Sequence, residues 1–379
     1  MSTWEAALQG LNELAAQAVG LSEPNPRVAC RLLLAGGQVF EGHTQQAGGP
    51  HAEVMALRAA QAAGAEVRGA TALVTLEPCS HHGRTPPCCD ALVAAGVARV
   101  VVAQTDPNPL VNGQGVARLR AAGVAVDVLP ATHPLAVATR ELNIGFFSRM
   151  ERGLPWVRLK VAASLDGTTA LHNGVSQWIT CPEARTDGHA WRKRAGALLT
   201  GVGTVRADDP RLDVRLVPTP SQPLRVVVDS RLETPAAARI LQPPGEVRLY
   251  TAQAALGPDG QPLPAWTQLA QTGATLVSLP EAGRAKVDLP ALLQDLARHG
   301  VNELHLEAGH QLNGSFLRAG CVDELLVYLA PTLLGPGAGL AALGPFSSMD
   351  QALHWSYVEV AHVGTDVRLR LRRATALSK

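Results

Sequence analysis

Thr75-Leu76-Glu77-Pro78-Cys79-Ser80-His81-His82-Gly83-Arg84-Thr85-Pro86-Pro87-Cys88-Cys89 is the stretch on which the reading of this chain turns. It starts at the end of a short apolar strand over 71–76 and runs into a helix over 86–95 that two prolines open. Upstream, His51-Ala52-Glu53 stands where an alanine-rich helical pattern begins, continuing to about residue 63. His51, Cys79 and Cys88 make a suitable donor set for tetrahedral Zn²⁺ with a fourth position open, the arrangement of catalytic sites. His51 and Glu53 lie two positions apart, which would splay them in mid-helix. At a helix mouth both can reach a point beyond the end, where thiolates also gain from the positive end of the helix dipole. Glu53 need not be a ligand. Zinc lowers the pKa of a coordinated water to about 7, and a carboxylate placed like Glu53 can pass that water's proton to a leaving amine. A closed structural zinc site and a disulfide are the alternatives for the two cysteines. Cys89, adjacent to Cys88, points elsewhere if Cys88 is a ligand and reads as a packed thiol. His81 and His82 suit a substrate loop or an exposed turn equally.

Working outward, strands alternate with helices. Trp4, Ala7, Leu8, Leu11, Leu14 and Ala18 recur at helical spacing over 3–18. A strand over 28–34, a Gly36-Gly37 turn, a strand over 99–103, a helix–strand pair near 114–129 and a helix over 134–150 complete the first half. This order predicts an α/β layer fold with a mostly parallel sheet. The charged run Arg149-Met150-Glu151-Arg152-Gly153-Leu154-Pro155 marks a boundary, so the expected domains are 1–150 and 155–379. A second series begins with a strand over 156–162. It continues with a helix over 182–193, strands at 196–201 and 224–229, a strand–helix pair over 302–319, and β-rich stretches at 322–329 and 356–372. Pro-rich passages at 217–223 and 255–265 read as surface loops.

Composition sets outer limits. With 379 residues, 33 Lys and Arg against 32 Asp and Glu, and a net charge of +1, the chain lacks the basic excess of a phosphate-backbone surface. A few arginines can still bind one phosphate. At 46% hydrophobic and 17% charged residues, it is not a disordered chain. No apolar run approaches the ~18 residues of a membrane span, and Met1-Ser2-Thr3-Trp4-Glu5 lacks a secretory start. A cytoplasmic protein is the expectation. Six cysteines are far too few for a stapled secreted scaffold.

The pairing of H-x-E with P-C…C matches the signature of zinc deaminases. Eight residues separate Cys79 from Cys88, where nucleoside and nucleic-acid deaminases usually have two. Pro24-Asn25-Pro26-x-Val28, Gly48-x-Pro50-His51-Ala52-Glu53, Thr75–Cys88 and Asp106-Pro107-Asn108-Pro109 closely resemble the bifunctional riboflavin-biosynthesis deaminase–reductase family. The likeness continues through the Lys160–Gly167 run (K-V-A-A-S-L-D-G), Ser176-Gln177-Trp178-Ile179-Thr180, the Gly201–Leu212 run, the Glu307–Ser315 run and Gly320-Cys321-Val322-Asp323-Glu324-Leu325. It therefore spans nearly the whole chain.

The resemblance implies a cytidine-deaminase-like α/β/α domain followed by a dihydrofolate-reductase-like α/β domain. It implies one Zn²⁺ per chain on His51, Cys79 and Cys88 with Glu53 catalytic, and NADPH in the second half. The implied substrate is a small phosphorylated pyrimidine: a diaminopyrimidinone carrying ribosylamino 5-phosphate is deaminated, then its ribosyl side chain is reduced to ribityl. No nucleic acid and no membrane are implied as partners, and a homo-oligomer is. Ala162, Trp178, Thr204, Asp208, Ser230 and the 309–315 loop (Gly309, His310, Gln311, Leu312, Asn313, Gly314, Ser315) would contact NADPH. Ser176, Arg192, Leu212, Arg215 and Glu307 would hold substrate, Arg192 and Arg215 at its phosphate. Lys160 would polarise the sugar carbonyl or form an ion pair.

Read from the residues alone, Gly201-x-Gly203 is a tight turn rather than a dinucleotide fingerprint, because the third glycine is missing. The strand–glycine–helix run at Gly309 suits a pyrophosphate better. The chain departs from the family's usual residues at Arg206, Arg211 and His310, and at Ala29 and Arg31 beside the expected pyrimidine pocket. The competing reading is a nucleoside or nucleic-acid deaminase with an unrelated C-terminal domain.

Overall fold

The computed structural model describes residues 4–80, 86–257 and 260–373; His81 and His82 lie outside them. The chain divides into two compact units, Met1–Gly153 and Leu154–Lys379.

The first unit runs α1 (Leu11–Ala16), β1 (Ala29–Leu33), β2 (Val39–His43), α2 (Ala52–Ala62), β3 (Thr71–Val74), α3 (Cys88–Ala94), β4 (Arg99–Val102), α4 (Gln114–Ala121), β5 (Ala125–Val128), α5 (Pro134–Leu142) and α6 (Ile144–Arg152). Its sheet has the order β2-β1-β3-β4-β5. Strand side chains alternate between two cores, as a period of two requires. Cys30, Leu32, Ala72, Val74, Val100 and Val102 pack with Ala52, Ala56 and Ala60 of α2, Cys89 and Leu92 of α3, and Leu119 of α4. Ala29, Leu73, Val101 and Ala103 face Leu11 and Ala15 of α1 and Leu135 and Leu142 of α5. Two helical layers thus enclose one sheet. Helix α2 lies so close to β2 that a Cβ on Gly42 would stand 2.5 Å from the Ala52 carbonyl oxygen, and this contact fixes where the helix mouth sits.

Four sequence expectations need correction. The 3–18 helix is broken: a short 3-10 turn at Ala6–Leu8 is separated from α1 by Gly10, whose φ is 73°. Arg31 donates to the Ala7 and Gln9 carbonyls and pairs with Glu41, so it ties this segment to the sheet instead of facing a pyrimidine. The 134–150 helix is interrupted at Asn143, whose side chain exchanges hydrogen bonds with the Arg27 main chain at 2.7 and 2.9 Å, a competition with helical bonding typical of Asn. Nor is this sheet mostly parallel. β1 pairs antiparallel with both β2 and β3, and only β3–β4–β5 are parallel.

The second unit runs β6 (Trp156–Ser164), β7 (Ala170–Leu171), α7 (Pro182–Arg194), β8 (Ala197–Gly201), α8 (Val202–Asp208), β9 (Leu224–Val228), β10 (Val247–Thr251), α9 (Pro264–Ala270), β11 (Thr275–Ser278), α10 (Leu289–Arg298), β12 (Glu303–Leu306), α11 (His310–Arg318), β13 (Glu324–Ala330), β14 (Gly337–Ala338), β15 (Trp355–Val363) and β16 (Asp366–Arg373). Nine strands form one sheet in the order β11-β10-β9-β8-β12-β6-β13-β16-β15. It is parallel from β11 to β13 and antiparallel over the last two pairs. Among the described residues no helix is long and apolar enough to cross a membrane.

Candidate active sites

In the first unit the helix mouth brings the metal donors together. His51 is the N-cap of α2 and Cys88 the first residue of α3, while Cys79 follows β3. The His51 Nδ1 lies 3.6 Å from the Cys79 Sγ and 3.3 Å from the Cys88 Sγ. All three donor atoms fall within 4.8 Å of one another, and among the described residues no fourth protein donor joins them. All six cysteines are free, so the disulfide reading of Cys79 and Cys88 falls. The Cys88 main-chain N–H donates to the Cys79 sulfur at 3.3 Å, as expected of a thiolate at a helix start. Hydrogen bonding with the Cys88 side chain pulls Cys79 down to about 4, and the same contact raises Cys88. One imidazole nitrogen and two sulfurs this close together are a donor set that fits zinc, which would take both cysteines as thiolates.

Glu53 sits in the first turn of α2, only 3% exposed. Burial raises its pKa, with the charge of Cys79 adding to the effect. A carboxyl so placed can accept a proton and give it back. Beside it is a cavity of about 360 Å³ whose lining includes Asn25, Thr44, His51, Glu53, Cys79, Asp106, Asn108 and Arg149. Neither Ala29 nor Arg31 is in this lining.

Glu77 organises that wall, a role the sequence reading missed. Its carboxylate accepts the main-chain N–H of Asp106 (3.2 Å), Gly113 (2.9 Å) and Val116 (3.0 Å). A Cβ on Gly115 would stand 2.1 Å from the Pro78 carbonyl oxygen, so a glycine is required for the 106–116 segment to close on the Pro78-Cys79 turn. Burial pushes Asp106 up to about 7. The signal was available, since Glu77 lies in the Thr75–Cys88 run and Asp106 opens Asp106-Pro107-Asn108-Pro109, but no residue-level role follows from the motif alone. Cys89 donates to the Pro78 carbonyl and is buried, as a packed thiol should be.

The second unit holds a larger cavity, about 1160 Å³. Of the expected cofactor residues, Ala162, Trp178, Thr204, Asp208, Gly309, His310, Gln311, Leu312 and Asn313 line it. Of the expected substrate residues, Lys160, Ser176, Arg192, Arg215 and Glu307 do. Four others do not. Leu212, 3% exposed with φ of 48°, packs its side chain into the core with Val205 and Val227. Ser230 accepts the Val287 N–H. Gly314 faces the Ala342 carbonyl, 2.3 Å from where a Cβ would be. Ser315 donates to the Gln311 carbonyl within α11. Nor is 309–315 a loop: Gly309 caps a helix that starts at His310. The Gly309 N–H donates to Thr204 Oγ1 at 3.1 Å, and the helix N-terminus opens on the cavity with the polarity a pyrophosphate requires. Gly201 is extended and ends β8, and a Cβ there would stand 2.9 Å from the Leu312 side chain. Its role is close packing of β8 against α11.

Several charged side chains of the lining bear directly on one another. Arg192 grips Glu307 with two hydrogen bonds, 2.6 and 2.8 Å, and donates to the Asp213 carbonyl at 2.9 Å. Burial would raise Glu307, but Arg192 and Lys160 outweigh it, and the carboxylate lies well below its usual range. Lys160 is lowered by burial. Arg215 pairs with Asp213 at 2.6 Å and keeps 45% of its side chain exposed. His189, also in the lining, is pushed down to about 4 by burial and then by Arg192 and Arg215. The sequence reading missed it, though His189 and Arg192 are three apart on α7 and share a face.

Comparison with known proteins agrees with both halves. Residues 1–104 match the family model of the cytidine and deoxycytidylate deaminase zinc-binding region, and residues 155–369 that of the RibD C-terminal domain. The chain is 46% identical over 364 residues to riboflavin biosynthesis protein RibD of Escherichia coli, covering 92% of this chain and 94% of that one. It is 39% identical to the Bacillus amyloliquefaciens protein of the same name, covering 94% and 93%. A solved Acinetobacter baumannii RibD superposes with a TM-score of 0.84 at 39% identity over 98% of both chains. The Thermotoga maritima diaminohydroxyphosphoribosylaminopyrimidine deaminase/5-amino-6-(5-phosphoribosylamino)uracil reductase superposes equally well, 0.84, at 29% identity over 98% and 99%.

Proposed function

The chain belongs to the RibD family, bifunctional deaminase–reductases of riboflavin biosynthesis, and from that premise we propose what each site does. The first, in residues 1–150, removes an amino group hydrolytically from a diaminohydroxyphosphoribosylaminopyrimidine. The second, in residues 155–379, reduces the ribosyl chain of the resulting 5-amino-6-(5-phosphoribosylamino)uracil. The observation that carries the first assignment is the convergence of His51, Cys79 and Cys88 beside a buried Glu53.

His51 Nδ1 and the sulfurs of Cys79 and Cys88 would hold one zinc ion, which when bound supplies Lewis-acid activation of water near neutral pH. Glu53 takes a proton from the attacking water and delivers it to the departing amino nitrogen. In the second unit NADPH, when bound, supplies the hydride. Ala162, Trp178, Thr204, Asp208 and residues 309–313 hold it against the α11 N-terminus. Ser230, Gly314 and Ser315 act from behind: Gly314 admits the Ala342 strap, and the other two fix local backbone. Ser176, Arg192, Arg215 and Glu307 hold the substrate, with Leu212 shaping the segment that carries Arg215. Lys160, kept beside Glu307, polarises the sugar carbonyl.

A homo-oligomer in the cytoplasm is part of the same proposal. Strand β15 is a sheet edge whose Tyr357, Val358 and Val360 are exposed, an edge of the kind proteins usually cover. The test is zinc analysis joined to a two-step assay. About one zinc per chain is expected, with ammonia released first and NADPH consumed only by the deaminated product. Deamination of tRNA or single-stranded DNA without NADPH oxidation would favour the competing reading.

A further inference from the structure

His189 sits in the middle of α7, 5% exposed, and reaches the reductase cavity. The main-chain N–H of Arg215 donates to its Nδ1 at 3.1 Å. A neutral imidazole carries a single proton, so an accepting Nδ1 leaves that proton on Nε2. Nε2 in turn lies 3.4 Å from Nη1 of Arg192, and a guanidinium nitrogen can only donate. Two donors therefore face each other with neither able to accept. Such a contact is unfavourable until an oxygen bearing negative charge accepts from both.

The groups around the ring fit this reading. Arg192 lies on the same helix, Arg215 and Asp213 on the segment after α8, and Glu307 at the end of β12; these are the charges that bear on His189. Asp213 and Glu307 are already taken, by Arg215 and Arg192 respectively. The ring stays uncharged at neutral pH, so it adds a directed N–H without adding a third cation.

We infer that the Nε2–H of His189 and the Nη1 of Arg192 form a converging donor pair that seats one phosphate oxygen of the reductase substrate. This deepens the proposed function and rests on its placing of the phosphate at Arg192 and Arg215. Through Nδ1 the same ring anchors the backbone that presents Arg215, so His189 couples two parts of one anion seat.

The experiment uses the full-length protein with saturating NADPH and two substrates, 5-amino-6-(5-phosphoribosylamino)uracil and its dephosphorylated counterpart. H189N keeps a side-chain acceptor near the Nδ1 position and removes the Nε2 donor; H189Q returns an N–H near Nε2. The readout is phosphate preference, the ratio of kcat/KM for the two substrates. H189N is expected to lower that ratio about 10–100-fold, the size of one hydrogen bond to a charged group, mainly through KM. H189Q should recover most of it, and the NADPH Kd from fluorescence titration should not move. An unchanged ratio in H189N overturns the inference, whether or not overall turnover falls. If the Asn variant does not fold, H189F gives the same ratio test. R215A, assayed alongside, separates the two levels of the argument. Lost preference in R215A with full preference in H189N means the donor pair is wrong but the phosphate end is right. Full preference in both means the phosphate has been placed at the wrong end of the cavity.

Discussion

The two sites are assembled in opposite ways. The deaminase centre draws its donors from two short motifs, 51–53 and 79–88, each at the start of a helix that packs directly on the sheet. The reductase cavity draws its lining from Lys160 to Ala338, across strands β6 and β8, helices α7, α8 and α11, and the loops between them. A metal demands particular side chains in particular numbers, so its site is concentrated in residue identity. A dinucleotide is held largely by main chain, helix ends and close approaches, which many side chains can surround. The first kind of site should therefore break completely on one substitution, and the second should weaken by degrees.

That contrast can be tested from its largest consequence downward. Cys88→Ser should strip zinc and abolish ammonia release while leaving NADPH oxidation of the deaminated substrate in place; metal analysis and the two separate assays check this. Loss of both activities would show that the halves are not independent. Arg192→Ala should act on stability as well as binding. It strands the Glu307 carboxylate, 15% exposed, without its two-pronged partner, and removing one member of a largely buried pair costs about 3 kcal/mol. Denaturant unfolding of the second unit reads the difference. Arg215→Ala, at a side chain nearly half exposed, should leave stability within about 0.5 kcal/mol and raise the KM for the phosphorylated substrate roughly 10–100-fold.

The smallest expected effect is a pH slope. His189 has its pKa lowered from 6.5 to about 4 in the fold. Below pH 6.5 the unfolded chain takes up a proton there that the folded chain refuses, so stability is full above 6.5 and is lost as pH falls toward 4. Glu324, lowered to about 2, adds a loss that begins only below its ordinary value of 4.5. Unfolding measured across pH 7 to 4 in H189Q should show a shallower decline than wild type; an identical decline would remove His189 from the account.

Legibility in the sequence followed the same divide. The metal donors, the α2 mouth and the strand–helix order of the first half could be read because residue type and spacing both pointed one way. Strand β2 could not, since Val39-Phe40-Glu41-Gly42-His43 is half exposed and its pairing with β1 depends on α2 resting against Gly42. The break at Asn143 was hidden because its cause, the Arg27 main chain, is remote in sequence. In the second half, Leu212 lies on the segment that brings Arg215 to the cavity but packs its own side chain into the core, and Ser230 bonds the Val287 main chain outside the lining. His189 was passed over because nothing about a single histidine on a polar helix shows that a backbone N–H from residue 215 will fix its tautomer.

Glu53→Gln tests the central claim, a metal-centred deaminase carried on one chain with an independent reductase, most directly. The amide keeps the size of the side chain and gives up the proton. Zinc should remain at about one per chain, ammonia release should fall at least ~10²–10⁴-fold, and NADPH oxidation of the deaminated substrate should proceed at the wild-type rate. Ammonia released at the wild-type rate by zinc-loaded Glu53→Gln would contradict the account.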